Sequence, residues 1–367
     1  MNESLVYKIA LSMIPGIGGV LARNLVAYIG SVEGVFGETV KTLTKIPGIG
    51  EINARRIKEN IMLAKAEKET EFIQKKNINV LFYTEKEFPQ RLRTCADAPI
   101  ILYTKGSMNL DEQRILSIVG TRNATDYGKH ICDELIMKIA ERKYPVLVVS
   151  GLAYGIDIHA HKSALKYNLP TVAVLAHGLD KIYPSLHRDV ALKMLDNGGL
   201  ITDFPSETKI DPANFLRRNR IIAGLADATI VVESAEKGGA LVTADIASSY
   251  NRDVFAFPGR AGDSFSKGCN QLIRNNGANL IEGIDDLEFF MSWETKQEKK
   301  AIQSKFFVDL LPDEEKVVKL LRENGELFID RISAELSLPV SRVSALLLNM
   351  EFKNILKVLP GNVYRLM

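Results

Sequence analysis

Short apolar stretches alternate with helix-forming stretches through the middle of the chain, from about residue 116 onwards. The apolar stretches are Leu116–Val119, Val146–Val149, Thr171–Leu175, Leu200–Thr202, Ala228–Glu233 and Asp253–Phe257. Helical patterns lie between them, for example at Tyr127–Arg142, Ile156–Tyr167 and Leu241–Tyr250. This alternation predicts an α/β fold with a doubly wound, mostly parallel, Rossmann-like sheet. Sheets of this kind bind ligands at the carboxyl ends of their strands.

The N-terminal segment contains an internal repeat. Ile14–Gly18 and Ile46–Gly50 share the sequence Ile-Pro-Gly-Ile-Gly, and each copy is followed by Ala at the same offset. This is the helix-hairpin-helix pattern, in which the amides of a glycine turn at a helix N-terminus can hold a phosphate oxygen. Gly16, Gly18, Gly48, Gly50 and Arg55 are therefore candidate contacts to a DNA backbone. The alternative is that the hairpins only pack together as a small helical domain.

The last sixty residues show three helical patterns followed by an extended pair. The helices are predicted at Pro312–Arg322, Ile329–Leu336 and Pro339–Phe352, and the extended pair at Ile355–Val358 and Val363–Leu366 with a turn at Pro360–Asn362. This is the winged-helix layout, which usually places its third helix in a DNA groove. The segment has a net charge of −1, which favours a protein-contact or packing role, with weak DNA contact as the alternative.

These patterns predict the domain organisation. We expect a helix-hairpin-helix (SAM-like) domain at 1–65, the sheet domain at 66–293, a polar linker at 294–307 and the winged-helix domain at 308–367. The sheet domain begins with a probable strand at Val80–Tyr83 and an extended segment at Ala98–Tyr103.

Composition restricts the class of protein. The 367 residues are 46% hydrophobic and 25% charged, as in an ordinary globular protein. No apolar run approaches the roughly 18 residues that span a bilayer, so we expect no membrane association. The three cysteines (Cys95, Cys132 and Cys269) are far apart and form no metal or disulfide pattern, which favours the cytoplasm. His159 and His161 point to different sides of a helix, so we predict no metal site.

The net charge of +2 does not by itself indicate a nucleic-acid binder, but the strand ends contain a local signal. Glycine turns follow five strands, at Gly120, Gly151, Gly178, Gly238–Gly239 and Gly259. Unpaired amides at such turns bind anions. Glycine can simply tighten any single turn, but several turns on one sheet edge favour a phosphate-bearing ligand.

Three arginines lie close together in the segment Phe215–Gly224. Arg217, Arg218 and Arg220, with Asn219, are expected on the first turns of a helix, where positive charge is unfavourable unless an anion or carboxylate neutralises it. They are candidate phosphate ligands. An internal ion pair is the alternative for each, and Arg217 and Arg218 cannot share one helix face.

The common enzyme signatures are absent from the sequence: the dinucleotide-binding glycine motif, the phosphate-binding loop and the serine nucleophile elbow. We therefore predict a binding protein without a cofactor. The alternative is a small-nucleotide hydrolase that cleaves a sugar-base or sugar-phosphate bond, with Glu233 at a strand end as its acid or base.

Several longer motifs make the sequence resemble the DprA or Smf family of DNA-processing proteins. They are Gly120–Arg122, Ser150–Asp157 with His161, Gly178–Asp180 with Tyr183–Pro184, Arg218–Leu225 and Gly239–Ala244. The resemblance implies a cytoplasmic protein that binds single-stranded DNA during natural transformation, protects it, forms a homodimer through the sheet domain and loads the RecA recombinase.

The resemblance also implies a basic pocket for phosphates. Arg122, Arg218 and Arg220 would contact phosphate, and the turns at Gly151, Gly178 and Gly239 would shape the pocket. The full set of predicted contacts is Gly120, Thr121, Arg122, Ser150, Gly151, Gly178, Lys181, Arg188, Arg217, Arg218, Asn219, Arg220, Gly238 and Gly239.

Overall fold

The computed structural model describes residues 3–59, 61–293, 311–353, 355–359 and 363–366. The predicted linker at 294–307 and the predicted turn at 360–362 lie outside these residues. The chain divides into two compact units, Met1–Thr295 and Lys296–Met367. In the described residues, no helix is both long enough and apolar enough to cross a bilayer, and no cluster of His, Cys, Asp or Glu is arranged to hold a metal ion.

Six helices form the N-terminal part of the first unit. They are α1 (Glu3–Met13), α2 (Gly19–Ile29), α3 (Val32–Gly37), α4 (Val40–Leu43), α5 (Glu51–Lys58) and α6 (Ile61–Lys76). The two glycine turns of the repeat precede α2 and α5. Their isoleucines, Ile14, Ile17, Ile46 and Ile49, are buried in a shared core. That core continues onto the first two strands of the sheet through Phe82, Ile101 and Tyr103.

The rest of the first unit is a nine-stranded sheet with helices. The strands are β1 (Asn79–Phe82), β2 (Ile101–Lys105), β3 (Arg114–Val119), β4 (Val146–Ser150), β5 (Thr171–Val174), β6 (Gly198–Thr202), β7 (Ala228–Val231), β8 (Asp253–Ala256) and β9 (Asn279–Leu280). The helices are α7 (Gln90–Arg93), α8 (Asp126–Glu141), α9 (Ile156–Lys166), α10 (Arg188–Lys193), α11 (Pro212–Leu225), α12 (Gly239–Ser249), α13 (Lys267–Arg274) and α14 (Ile284–Phe290).

The strand order is β1-β2-β6-β5-β4-β3-β7-β8-β9. The seven strands from β6 to β9 in this order are parallel, whereas β1 and β2 are antiparallel to their neighbours. The chain runs outwards from β3 to β6 and then returns to β7 on the other side of β3. The sheet therefore reverses its winding between β3 and β7, which is where doubly wound folds bind their ligands. The predicted mostly parallel α/β sheet is confirmed.

Both faces of the sheet are covered, as expected for parallel strands. In β3, Ile115 and Val119 pack into the core beneath α11 and α12. Leu116 and Ile118 point to the other face and pack with residues of α8 and α9. Successive side chains point to opposite faces, and both faces are buried. The strands therefore appear in the sequence as continuous apolar runs.

In the described residues of the second unit there are three helices and a three-stranded sheet. Its elements are α15 (Pro312–Asn324), β10 (Glu326–Phe328), α16 (Ile329–Leu336), α17 (Val340–Phe352), β11 (Leu356–Leu359) and β12 (Val363–Leu366). The strand order is β10-β12-β11, and both pairs are antiparallel. Strand β10 was not predicted, because three residues are too few for a period-two pattern to be recognised. The unit has its own core, which includes Val317, Ile332, Leu347 and Met350.

Candidate nucleic-acid interface

A cavity of about 660 Å³ opens at the carboxyl edge of the sheet, at the reversal between β3 and β7. The end of β3 at Val119 and residues 120–122 after it form one side of the cavity. Residues 234–235 and 237–240, which come after β7, form another side, and α11 supplies a third. Sequence and topology together place the cavity where parallel α/β sheets bind ligands.

The N-terminus of α12 opens into this cavity. Its cap residue is Gly238, which has an extended backbone and provides no side-chain hydrogen bond to the helix. Gly238 and Gly239 are both exposed and line the cavity. The first-turn amides of a helix lack partners within the helix and have a positive partial charge. The start of α12 can therefore accept an anionic oxygen.

Two exposed cations line the cavity. Arg122 follows β3 and Lys237 precedes the cap of α12. None of the ion pairs between described residues involves either side chain. Lys237 was not among the predicted contacts, although its position directly before two glycines was the available signal. Both charges are thus free to meet an anion from outside the chain.

Arg218 lies beneath the cavity and is only 3% exposed. Its Nη1 donates to the carbonyl oxygen of Gly151 at 2.6 Å and also to that of Val174. Burial lowers the pKa of Arg218 to about 10, and the nearby Asp157 opposes this effect. The guanidinium therefore remains charged at neutral pH while it holds two strand ends together.

The other two arginines of the cluster share one carboxylate. Arg217 and Arg220 lie 3.3 and 2.7 Å from Oδ2 of Asp203, which is buried. Residues three apart lie on one face of a helix, so both can reach the same group. The internal ion pair, which the sequence left open as an alternative, is what the structure shows for both side chains.

Helix α11 begins earlier than the sequence predicted. Its first residue is Pro212, and the Asp211 side chain caps it by accepting from Ala213 N–H at 2.8 Å. Arg217, Arg218 and Arg220 therefore lie in the second and third turns. The expected conflict between their charge and the positive helix end does not arise, because that effect is confined to the first turn.

Other predicted residues support the cavity from below or lie outside its lining. Asn219 is buried and donates to the Gly239 carbonyl oxygen at 3.3 Å. Ser150 is buried, and its hydroxyl donates to the main-chain carbonyl oxygen of Ile118 at 2.6 Å. Gly178 packs against the Pro205 carbonyl oxygen. The lining includes Gly120, Thr121, Arg122, Arg218, Asn219, Gly238 and Gly239, but not Ser150, Gly151, Gly178, Lys181, Arg188, Arg217 or Arg220.

An apolar wall completes the cavity. Tyr183, Ile210 and Leu216 are 43%, 42% and 53% exposed and line it together with Phe215. The rings of Tyr183 and Phe215 are 6.0 Å apart in an edge arrangement, and the Arg122 guanidinium lies 5.5 Å from the Phe215 ring. Exposed aromatic faces beside cations are typical of surfaces on which unpaired bases stack. Ile210, Phe215 and Leu216 were not predicted as site residues, because their signal in the sequence was only their apolar character beside the arginines.

Glu233 does not face the cavity. It is 2% exposed, and its two carboxylate oxygens accept from the Thr125 N–H at 2.9 Å and the Thr125 hydroxyl at 2.6 Å. The lining of the cavity does not include it. This geometry gives no support to Glu233 as the acid or base of a hydrolase, because that group must reach the substrate.

Asp157 and His161 are also buried near the cavity floor. Burial raises the pKa of Asp157, although Arg218 and several hydrogen bonds oppose this. His161 makes a 2.7 Å hydrogen bond through Nδ1 to the Thr171 hydroxyl. Burial lowers its pKa to about 3, so the ring is neutral at physiological pH.

The two glycine turns of the N-terminal repeat differ in their surroundings. Gly16 and Gly48 have φ values of +85° and +84°, which favour glycine. At the first turn, the Ala98 carbonyl oxygen lies so close to Gly19 that a Cβ there would be 2.2 Å from it. The cap glycines themselves are alike, since a Cβ on Gly18 or on Gly50 would meet no atom within 4 Å, but the residue after Gly50 is the exposed Glu51. Arg55 pairs with Glu51 at 2.6 Å on the exposed face of α5.

Comparisons with protein families agree with this architecture. The family described as DNA recombination-mediator protein A matches residues 79–291, and the SAM-like helix-hairpin-helix tandem matches residues 8–61. The Smf protein of Synechocystis is 29% identical over 398 residues, which cover 99% of each chain. The Smf protein of Escherichia coli is 33% identical over 306 residues, covering 80% of this chain and 79% of its own.

Solved structures show the same relationship. The crystal structure of DprA from Streptococcus pneumoniae superimposes with a TM-score of 0.64 and 28% identity, covering 78% of this chain and 97% of its own. A structure of Helicobacter pylori DprA, described by its single-stranded DNA binding mode, gives a TM-score of 0.53 and 28% identity. It covers 59% of this chain and 95% of its own.

Proposed function

This chain belongs to the DNA recombination-mediator protein A family, and from that premise we propose that it binds single-stranded DNA without regard to sequence. The observation that carries the proposal is the cavity at the β3–β7 reversal. There, the unpaired charges of Arg122 and Lys237 lie beside the start of α12, which has no side-chain cap, and beside the apolar wall that includes Tyr183 and Phe215. Cations and helix amides suit the phosphates, and the wall suits unstacked bases.

The proposal assigns different tasks to the predicted residues. Arg122, Lys237 and the amides at Gly238–Gly239 contact phosphate directly. Arg218 and Asn219 form the floor and fix the ends of β4 and β5 and the start of α12. Arg217 and Arg220 are held by Asp203 and contribute mainly to the shape of α11.

The preference for a single strand follows from the shape of this site. A duplex keeps its bases stacked inside, whereas a single strand can place a base on Tyr183 or Phe215 while its phosphate reaches Arg122. None of these contacts reads a base edge by a fixed pattern of donors and acceptors, so affinity should depend little on sequence.

The N-terminal and C-terminal parts complete the proposal. The second hairpin, at Gly48–Gly50, has an open helix start and adds a contact to the DNA backbone. The C-terminal unit has the element order of a winged helix. Its Arg342 and Lys353 pair with Asp313 and Glu314, so these cations are less available to phosphate, and we assign this unit to protein contacts.

We further propose that the protein works in the cytoplasm as a homodimer that protects incoming single strands and delivers them to RecA, without catalysing a reaction itself.

The site assignment is tested by removing one free charge at a time. Binding of a fluorescent oligo-dT is followed by anisotropy for the wild type, Arg122→Ala and Lys237→Ala. Lys76→Ala is the matched control, because Lys76 is exposed at the end of α6 and away from the lining. Each site variant should bind about tenfold more weakly, and the slope of log K against log salt should fall by about 0.7 for each lost phosphate contact. Unchanged affinity in both site variants would overturn the assignment.

A further inference from the structure

One residue holds both ends of the loop that presents Arg122. The loop, residues 120–125, connects β3 to α8. At its start, the Thr121 N–H donates to the main-chain carbonyl oxygen of Glu233 at 2.7 Å. At its end, the Thr125 N–H and hydroxyl donate to the Glu233 carboxylate at 2.9 and 2.6 Å. We propose that Glu233 is a positioning residue for DNA binding, which acts by fixing the loop that directs Arg122 into the cavity.

The contacts of Glu233 with Thr121 and Thr125 also fix the start of α8. Thr125 is the cap of this helix, because its hydroxyl oxygen accepts from the Gly128 N–H at 3.2 Å. The same hydroxyl donates its proton to Glu233, so the carboxylate and the helix start are joined through one group. Each of the two hydrogen bonds to the buried Glu233 side chain restrains the loop.

Two glycines make the space for this arrangement. A Cβ built on Gly128 would lie 2.5 Å from Oε2 of Glu233, and one built on Gly120 would lie 3.0 Å from its carbonyl oxygen. A larger residue at Gly128 would displace the Glu233 carboxylate, and one at Gly120 would also meet the Ile156 side chain, 2.4 Å away. The close packing therefore depends on one glycine beside the carboxylate of Glu233 and another beside its main-chain carbonyl oxygen.

The far side of the loop is held by the start of α9. The Ile156 N–H donates to the Thr121 carbonyl oxygen at 3.2 Å. Gly155 packs against the main chain of Arg122, since a Cβ there would lie 2.6 Å from the carbonyl carbon. The loop thus lies between the end of β7 and the start of α9, and the Arg122 side chain projects from it into the cavity. Loosening the Glu233 side should let Arg122 adopt other positions, which costs entropy on binding.

This inference rests on the proposed function, and its test separates the two. Glu233→Ala removes both oxygens that accept from Thr125, whereas a glutamine could keep both hydrogen bonds by turning its amide. We expect Glu233→Ala to weaken oligo-dT binding about tenfold, with a lower salt slope, because one phosphate contact becomes poorly placed. In an Arg122→Ala background the same substitution should change affinity less than about twofold, since the residue that it positions is already gone.

A general loss of structure gives a different pattern, because it would weaken binding by the same factor in both backgrounds; that result overturns the inference. Glu288→Ala is the matched control: Glu288 is a buried carboxylate on α14 that accepts from the Tyr144 hydroxyl at 2.8 Å and pairs with Arg142 at 2.9 Å, away from the cavity. Thr125→Ser keeps both donors to Glu233 and should bind almost as tightly as the wild type, whereas Thr125→Val loses the hydroxyl donor and should bind more weakly. If Arg122→Ala weakens binding and Glu233→Ala does not, the positioning role of Glu233 is wrong and the site stands. If neither variant changes affinity, the site itself is wrong.

Discussion

The Arg218 guanidinium packs directly against Gly151 and leaves no room there for a larger side chain. Arg218 is buried, and its Nη1 donates to the Gly151 carbonyl oxygen at 2.6 Å. A Cβ built on Gly151 would lie 2.5 Å from Nη2 of the same guanidinium and 2.6 Å from Oδ2 of Asp157. The glycine turn after β4 therefore provides the room that the buried Arg218 side chain occupies. The turn contributes to an anion site only indirectly, by positioning this arginine.

Gly151→Ala tests this relationship. The added methyl group would force Arg218 and Asp157 apart, and overpacking of this kind costs about 1 to 3 kcal/mol. We expect the free energy of unfolding in urea to fall by about that amount, with weaker oligo-dT binding as a consequence. Gly37→Ala is the control, because a Cβ there meets no atom within 4 Å and φ is not positive. Equal free energies of unfolding for the two variants would contradict the close packing of Arg218 against Gly151.

Gly50→Asp tests the open second hairpin. Gly50 has φ −81° and room for a side chain, so an aspartate can cap α5 and add a few tenths of a kcal/mol of stability. Its negative charge would repel a phosphate at the same helix start. We expect slightly higher stability together with severalfold weaker DNA binding, a combination that damage to the fold cannot produce.

Gly18→Asp provides the comparison, because Gly18 caps α2 in the same way. There the Ala98 carbonyl oxygen already lies against the next residue, Gly19. The variant should gain stability without losing affinity. An equal loss of affinity at both positions would show that the two hairpins contribute alike.

The buried ring of His161 predicts a dependence of stability on pH. Its pKa is about 3 in the folded chain, against an ordinary value of about 6.5. Above pH 6.5 both states are neutral and the ring causes no pH dependence. As the pH falls below 6.5, only the unfolded chain takes up the proton, so the free energy of unfolding decreases by about 1.4 kcal/mol per pH unit.

His161→Gln isolates this effect. Urea unfolding at several values between pH 6 and pH 4.5 should show a slope for the wild type that is steeper by almost one proton than the slope for the variant. Only the difference between the slopes is diagnostic, because other groups titrate in the same range. Identical slopes would mean that the folded chain protonates His161 as readily as the unfolded chain does.

Removing the second unit tests the division of tasks. In the described part of this unit, Arg342 pairs with Asp313 and Lys353 pairs with the buried Glu314, while α17 exposes Leu348 and Phe352. A chain that ends at Thr295 should therefore bind oligo-dT within about twofold of the full chain in the same anisotropy titration, since few phosphate contacts would be lost. Loss of binding would place part of the DNA site in the second unit.

The sequence predicted the elements whose signal is local. The parallel strands from β3 to β8 were recognisable because each is a continuous apolar run, and the repeat at Ile14 and Ile46 indicated the two hairpins. The short strands β9 and β10 were missed because two or three residues contain no periodicity.

The site was less predictable, because it depends on contacts between distant segments. The sequence grouped Arg217, Arg218 and Arg220 as three similar cations, yet one is buried on carbonyl oxygens and two share Asp203. It suggested Glu233 as an acid or base, whereas Thr125, 108 positions away, occupies both carboxylate oxygens. Residue type and local spacing indicated the chemistry, but burial and partners decide which side chain can perform it.

The most direct test of the account is binding of the full chain to a fluorescent oligo-dT and to a duplex of equal length, by anisotropy at several salt concentrations. The account predicts tight binding to the single strand, weaker binding to the duplex, and a linear fall of log K with log salt for the single strand. Equal affinity for both forms, or no measurable binding to the single strand, would contradict it.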